Sequence, residues 1–191
     1  MQLKWYLIII CACALSSTAI IAVALSQPFL SVLGVTCLCI VSVIAIDGAT
    51  ATVCRLLPEC VADHTRALYT VTATEKQIYE KLKIRAWKDK IPEIGHFTGF
   101  RKNRIASPQS PAYVKRFLLE ICYGEIGHLI SVLMGFLLLP LPLFPSVWLP
   151  VSIVVATVNG ILNLLPVMVL RYNSYKLKRL LNHRTKHSLS A

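Results

Sequence analysis

The chain alternates between long apolar runs and polar stretches. Four runs of roughly 20 apolar residues stand out, at positions 5–25, 29–46, 117–139 and 147–170. At 1.5 Å per residue, a helix of that length crosses the hydrocarbon core of a bilayer, which is about 30 Å thick. The pattern predicts an all-α integral membrane protein, a single membrane domain over residues 1–191 with four transmembrane helices.

Short connections predict two antiparallel hairpins. Residues 26–28 join spans one and two, and so few residues allow only neighbouring antiparallel helices. The proline-rich segment 140–146 joins spans three and four in the same way. Spans two and three are separated by the much longer segment 47–116, which we expect to form a loop on one side of the membrane.

The long loop contains a helical pattern. Thr72-x-x-Glu75 has the form of a capping box, which marks a helix start. From there to residue 91 a sparse apolar stripe, including Ile78 and Leu82, runs among lysines and arginines. That distribution is typical of a helix lying in the membrane interface, so one continuous interfacial helix is predicted.

Basic residues predict the orientation in the membrane. Of 20 lysines and arginines, Lys4 precedes span one, 13 lie in the loop 47–116, and six follow Leu170. The two hairpins have none. By the positive-inside rule, both termini, the loop and the basic tail 171–191 are expected in the cytoplasm of a multi-pass cell-membrane protein.

Composition supports this class and excludes others. Hydrophobic residues make up 55% of the chain and charged residues 15%, which argues against a soluble domain. The net charge of +11 is chiefly a topology signal, with anionic lipid or phosphate as a second interpretation. No nucleic-acid module accompanies the basic residues, so no nucleic-acid partner is expected. Span one resembles a signal peptide, but its length and the close second span favour an uncleaved helix.

The seven cysteines do not point to a metal centre. Two Cys-x-Cys pairs lie inside apolar spans, where a free cysteine behaves as a small hydrophobe. Their spacing does not fit a zinc pattern. We therefore expect neither a metal nor a cofactor.

Span three carries three ionisable residues, Glu120, Glu125 and His128. A charge at bilayer depth costs about 3 kcal/mol on insertion scales, so such residues usually have a function. On a helix, Glu120 and His128 share one narrow stripe with small residues, and Glu125 lies one step round from His128. The stripe is a candidate catalytic surface.

Glu125-x-x-His128 has the spacing of a base and its orienting partner. Histidine can remove a proton near neutral pH, and a carboxylate one turn away can fix its tautomer. We expect His128 to be the base, Glu125 to orient it and Glu120 to be a second acid. We also expect that an acyl group passes directly from an activated donor to an alcohol, without an enzyme nucleophile. Two alternatives stay open: a di-iron pattern, which would need a second copy that the chain lacks, and polar contacts to Asn159 and Asn163 that only join helices.

Two polar clusters lie at the predicted cytoplasmic membrane edge. Their side chains could hold an anionic donor or stabilise an oxyanion, although snorkelling at the interface would also account for them. The candidate substrate- and donor-binding residues are Asn163, Arg171, Tyr172, Asn173, Trp87, Lys88 and Asp89.

Three motifs in order resemble a known family. They are the tryptophan-lysine segment 85–95, the Glu-x4-Glu-x2-His segment 120–128, and Asn163 followed by the Arg-Tyr-Asn motif at 171–173. Together they resemble the glycosyl-4,4'-diaponeurosporenoate acyltransferase family over about residues 82–181. The resemblance implies the staphyloxanthin-type reaction, in which a fatty acyl group is esterified to a glucose hydroxyl of a glycosylated carotenoid.

The leading hypothesis is a membrane O-acyltransferase. It would move a fatty acyl group from an acyl-CoA-type donor to a sugar hydroxyl of a glycolipid or glycosylated carotenoid, with the membrane, the donor and the lipid-borne sugar acceptor as its partners. Two other classes stay open, a non-enzymatic lipid-binding or accessory membrane protein and a small membrane methyltransferase, the latter without a supporting Gly-rich stretch. No oligomeric state is predicted.

Overall fold

Helices make up the fold. The computed structural model describes residues 2–91, 107, 109–137 and 146–189. Four of its helices are long and apolar enough to cross a membrane, which confirms the predicted all-α class. In chain order the α-helices are α1 Gln2–Ala24, α2 Phe29–Leu56, α3 Ala73–Lys81, α4 Ile84–Trp87, α5 Pro111–Phe136 and α6 Trp148–Leu189, and short 3-10 turns form at Ala67–Tyr69 and Lys88–Lys90.

The chain forms two compact units. One contains Met1–Val53 and Gly127–Leu164, and the other contains Cys54–Ile126 and Leu165–Ala191. Helices α5 and α6 contribute residues to both units. The candidate site residues are therefore described below within the unit to which each belongs.

In the first unit, α1 and α2 form the predicted hairpin. Ser26 turns the chain with a left-handed φ of 51°. The hydroxyls of Thr18 and Thr36 form a buried hydrogen bond of 3.0 Å between the helices, which satisfies two polar groups away from water. Large apolar side chains remain outside, such as Val23 at 81% exposure, as expected for a surface that faces lipid.

In the second unit, the first half of α5 packs against the last half of α6. Val114 and Leu118, nearly fully buried, belong to one apolar cluster with Leu177 and Leu181. A second cluster around Tyr69 holds the segment that follows α2 against α5. These contacts bury residues that flank the ion-pair cluster around Arg171, which is described below.

Helices α2 and α6 continue well beyond the C-terminal ends of the predicted spans, and α5 begins at Pro111, before the predicted start of span three at residue 117. Helix α2 continues through Asp47 and Gly48 to Leu56, beyond the predicted end of span two at residue 46. Helix α6 continues through Pro166 to Leu189, and the predicted tail is helical to that point. The predicted hairpin at 140–145 and most of the segment 92–108 lie outside the described residues.

The predicted interfacial helix is interrupted. Its start is confirmed, because the Thr72 side chain accepts a hydrogen bond of 3.1 Å from the backbone N–H of Glu75. The prediction of one continuous helix is wrong, because Lys83 adopts a left-handed conformation, with φ 50° and ψ 42°, and separates α3 from α4. An αL residue cannot continue a right-handed helix, and a lysine gave no sequence signal for such a break.

Candidate active site

His128 belongs to a hydrogen-bonded chain of polar side chains in the first unit. Its Nδ1 lies 2.8 Å from Oδ1 of Asn163. The Nδ2 group of Asn163 donates to Oδ2 of Asp47 at 3.0 Å, and Nδ2 of Asn159 lies 3.4 Å from the other Asp47 oxygen. Three helices, α2, α5 and α6, thus supply one connected network within the unit.

This network determines the tautomer of His128. Asn163 Nδ2 faces only acceptors, namely Asp47 Oδ2 together with the backbone and side-chain oxygens of Asn159. Asn163 Oδ1 is therefore the acceptor in its contact with His128, and Nδ1 of the imidazole must carry the hydrogen. In the neutral ring, Nε2 then has the free lone pair, which is the form that a general base needs.

The sequence did not reveal Asp47. A carboxylate at a predicted membrane boundary is ordinarily solvated, whereas here it is half-buried and bound by two amides. One available signal was the i, i+4 pair Asn159 and Asn163 inside an apolar helix, because two intramembrane amides need polar partners. Glu125 was expected to be the carboxylate that orients His128. In the structure the carboxylate nearest to this role is Asp47, which contacts His128 through Asn163.

Glu125 has a different partner, in the second unit. Its Oε1 accepts a hydrogen bond from Nη1 of Arg171, and the carboxylate is 1% exposed. Glu75 binds the same guanidinium through both oxygens, with Oε2 2.8 Å from Nη2. The guanidinium thus joins two carboxylates, one from α5 and one from α3.

Arg171 has all five of its N–H groups engaged. Nε and one Nη2 hydrogen contact Glu75, and one Nη1 hydrogen contacts Glu125. The remaining hydrogens face the backbone oxygens of Leu68 at 2.9 Å and Thr70 at 3.3 Å. A guanidinium has five donors, so a ligand anion would have to displace one of these partners.

Glu75 was missed because it looked like an ordinary cap residue. Burial alone would raise its pKa, but hydrogen bonds from Arg171 and Tyr79 outweigh this effect, so the pKa lies below its usual value. Glu75 is thus held as a carboxylate. Tyr79 is buried, and its hydroxyl donates to Glu75.

Glu120 also has a cationic partner in the second unit. Its Oε1 lies 3.0 Å from Nη2 of Arg116, one turn earlier on α5, and the Glu120 side chain is 14% exposed. Arg116 also contacts Glu59 at 3.1 Å. Pairing removes most of the cost of a carboxylate in this apolar setting, so Glu120 needs no ligand to be tolerated.

The other predicted binding residues have mixed surroundings in the second unit. Asn173 is buried, and its Nδ2 has no hydrogen-bond partner among the described residues, while Tyr172 is half-buried. Trp87 donates from Nε1 to the Leu82 oxygen at 2.9 Å, and Lys88 pairs with Asp89 at 3.4 Å. These last two contacts are local and do not by themselves indicate a ligand.

Comparison with protein families decides the class. A protein-family model described as CrtO, glycosyl-4,4'-diaponeurosporenoate acyltransferase, matches residues 65–183, which is more than half of the chain. The chain belongs to the glycosyl-4,4'-diaponeurosporenoate acyltransferase family. It is therefore an acyltransferase, and the accessory-protein and methyltransferase hypotheses lose their support. No curated protein and no solved structure matches the chain.

The acyltransferase match covers the residues predicted from sequence. His128, Asn163 and Arg171 all lie within residues 65–183, as does Glu75. Asp47 precedes the matched region, so its link to the histidine rests on the hydrogen bonds alone.

Proposed function

We propose that this acyltransferase esterifies a sugar hydroxyl of a membrane lipid, of the glycosylated-carotenoid or glycolipid class, with a fatty acyl group from a coenzyme A thioester. The observation that carries the proposal is the hydrogen bond between His128 Nδ1 and Oδ1 of Asn163, which in the neutral ring leaves the lone pair on Nε2. The family name supports the acceptor class, because it names a glycosylated carotenoid acid.

The proposed reaction is direct acyl transfer. Nε2 of His128 removes the proton of the sugar hydroxyl while the oxygen attacks the thioester carbonyl carbon, forming the new C–O bond. The C–S bond then breaks, and the leaving thiolate takes the proton from the imidazolium. The products are the sugar ester and free thiol, and His128 returns to its starting form.

Asp47 and Asn163 support this step through orientation and charge. Asn163 holds the ring, and Asp47 holds Asn163 through its amide group. The negative charge of Asp47 also favours the transient imidazolium across this amide, as the acid of a catalytic triad does in direct contact. Asp47 and Asn163 are thus positioning residues in this proposal, and His128 is the catalytic one.

Glu125 and Arg171 have a structural part in the proposal. Their ion pair, extended to Glu75, fixes α3 against α5 and α6 within the second unit. Asn173, two residues further on α6, has an Nδ2 without a hydrogen-bond partner in the described part of the chain, and it remains the donor-binding candidate of the Arg-Tyr-Asn motif. The cytoplasmic side is proposed for the donor because the basic loop and tail indicate that side.

The proposal is tested by transfer to a glucosylated lipid in nanodiscs, with the product identified by mass spectrometry. His128→Gln should lower the rate of ester formation at least about 100-fold, the usual size of a general-base effect. Ser131→Ala and Cys122→Ala remove the hydroxyl and thiol nearest to it in sequence on α5 and should retain activity. Wild-type activity in His128→Gln would refute the base, and a dead Cys122→Ala of native stability would indicate a covalent route.

A further inference from the structure

A cleft of about 560 Å³ opens beside α3 and α4 in the second unit. Small-molecule sites are usually roughly 300–1,000 Å³ in volume, so this one has room for part of a nucleotide. The residues that line it are Tyr79, Glu80, Lys83, Ile84, Arg85, Ala86 and Tyr172. Of these, only Tyr172 was among the donor-binding candidates from the sequence.

The cleft combines an apolar floor with a cationic rim. Ile84 is fully buried and Tyr79 is 6% exposed, so the floor is part of the protein core. Lys83 and Arg85 are exposed at the rim. The single acidic lining residue, Glu80, is paired with Lys76 outside the lining at 3.5 Å, which leaves the rim with an excess of positive charge.

The backbone at Lys83 is strained. Lys83 has a φ of 50°, and this left-handed conformation is costly for a residue with a Cβ, a cost that glycine would avoid. The break is what separates α3 from α4, and both segments contribute lining residues. A lysine at this position thus brings a cation to the cleft at the expense of backbone energy.

Arg171 is not available for a phosphate, because its five N–H groups already have protein acceptors. An anionic donor therefore needs other cations. Lys83 and Arg85 fulfil this requirement, since both are exposed and line one cavity. Beside them, Lys176 lies 4.4 Å from the centroid of the Tyr172 ring and adds a third positive charge near the cleft.

We propose that this cleft binds the phosphate groups of the acyl donor, a nucleotide thioester of the coenzyme A class. Lys83 and Arg85 contact the phosphate oxygens through charge-assisted hydrogen bonds. The inference rests on the proposed function for the identity of the donor. A phospholipid headgroup offers the same phosphate chemistry, and the experiment separates these two sources.

The test is calorimetric titration of coenzyme A into the full chain in phosphatidylcholine nanodiscs. The variant Lys83→Gly/Arg85→Gln removes both cations and suits the left-handed backbone. Its dissociation constant should rise at least about tenfold, because the variant loses both charge-assisted contacts to the phosphates. Lys81→Gln/Lys90→Gln is the matched control, because it removes two exposed charges from the same segment outside the cleft, and it should change the constant less than about twofold.

Three outcomes would overturn the inference. The first is unchanged coenzyme A binding by the Lys83/Arg85 variant, and the second is equal weakening by both double variants, which would reflect net charge alone. The third is a Lys83/Arg85 variant whose loss of binding is confined to nanodiscs or vesicles that contain phosphatidylglycerol. That result would assign the cleft to lipid headgroups instead. If the double variant unfolds at a lower temperature than the wild type, the single variant Arg85→Gln, at an exposed position, repeats the test.

The titration measures binding without turnover, so it tests the binding site separately from the proposed transfer reaction. Cleft-dependent coenzyme A binding without any ester product would refute the transfer reaction and leave the binding site standing. Ester formation with coenzyme A binding that ignores Lys83 and Arg85 would refute the binding site alone.

Discussion

Asn163 has two amide hydrogens and three oxygen neighbours, and this surplus of acceptors decides how His128 is protonated. If the amide were reversed, its oxygen would face the Asp47 carboxylate and two Asn159 oxygens. Such an arrangement would leave buried acceptors unpaired at roughly 1–3 kcal/mol each. The energetic cost of the reversed amide is therefore what keeps Nδ1 of His128 protonated.

Removing Asp47 should separate catalysis from binding. In Asp47→Ala, Asn163 loses its only side-chain carboxylate contact, one of the three oxygens that fix its amide among the described residues, so kcat should fall about 10- to 100-fold, a typical effect for residues that orient a functional histidine. The KM for the donor should stay within about twofold, because Asp47 would not contact it. Steady-state kinetics measures both, and Thr52→Ala on the same helix, where the exposed hydroxyl donates to Gly48 O, is the control.

A spectroscopic readout distinguishes orientation from general damage. ¹⁵N chemical shifts of histidine-labelled protein should report the Nδ1–H tautomer at His128 in the wild type and a mixture in Asp47→Ala. Asp47→Glu, which retains the carboxylate, should recover part of kcat. A wild-type tautomer in an inactive Asp47→Ala enzyme would contradict the positioning role.

Arg171 should prove important for stability. Arg171→Lys retains the charge but loses the two-pronged contact with Glu75, leaving Glu125 or Glu75 incompletely paired. Breaking a buried pair costs about 3 kcal/mol, which for this size corresponds to a fall of roughly 6–12 °C in Tm. Thermal unfolding in detergent measures it, and the exposed Arg179→Lys is the control, expected within about 1 °C of wild type.

Glu75 should make stability depend on pH. Its folded pKa lies below the unfolded value, so its stabilising contribution is complete above the ordinary glutamate pKa and is lost as pH falls through the folded pKa. The Tm of the wild type should therefore fall on acidification below about pH 4.5, and Glu75→Gln should show a flatter profile over that range. Equal slopes for the two proteins would show that other carboxylates control the acid transition.

At the scale of helices, small residues bring α5 and α6 close together. A Cβ on Gly135 would lie 2.9 Å from Nδ2 of Asn159, whereas a Cβ on Gly160 would meet side chains only at 3.8 Å. Asn159 is part of the Asp47 network. The absence of a side chain at Gly135 thus maintains a polar contact, while Gly160 has room to spare.

Two glycine-to-alanine changes test this difference. Gly135→Ala should displace Asn159, destabilise the protein by about 1–3 kcal/mol and lower ester formation. Gly160→Ala should be neutral or stabilise by roughly 0.5–1 kcal/mol, since alanine favours helix. Thermal unfolding and the transfer assay measure both variants, and equal behaviour of the pair would contradict this account of the packing.

The apolar pattern was sufficient to predict the four long helices, because the bilayer requires about 20 apolar residues in each. It could not predict where α2 and α6 end. Beyond Ile46 and Leu170 the helices carry polar residues, and their backbone continues because tertiary contacts, such as Leu177 and Leu181 against α5, bury one face. Hydropathy marks only the length that lies in lipid.

The site residues were only partly predictable for a similar reason. The cost of ionisable groups in an apolar helix drew attention to Glu125 and His128, and i, i+3 spacing suggested that they pair. In the folded chain each has a partner from another helix, Arg171 and Asn163 respectively. Such long-range partners leave no spacing signal in a single sequence, and the same holds for Asp47 and Glu75.

At the scale of the whole molecule, the excess of positive charge and the four apolar helices act together. By the positive-inside rule, the basic residues of the loop and tail are expected on the cytoplasmic side, where anionic lipids would attract them and a soluble thioester donor would be present. The proposed donor cleft is lined by residues of that basic loop, including Lys83 and Arg85, and by Tyr172 of α6. The proposed chemistry therefore requires that the loop 47–116 faces the cytoplasm.

This orientation can be tested with thiols at two positions. Cys60 is exposed in the segment after α2, predicted to be cytoplasmic, and Gln27 lies in the α1–α2 hairpin, predicted to be outside. A membrane-impermeant maleimide should label Gln27→Cys in intact cells, whereas the signal that Cys60→Ser abolishes should appear only in inverted vesicles. The other cysteines are present in every variant, so only differences between variants count. Labelling of Cys60 from outside would reverse the topology and, with it, remove the proposed cleft from any cytoplasmic donor.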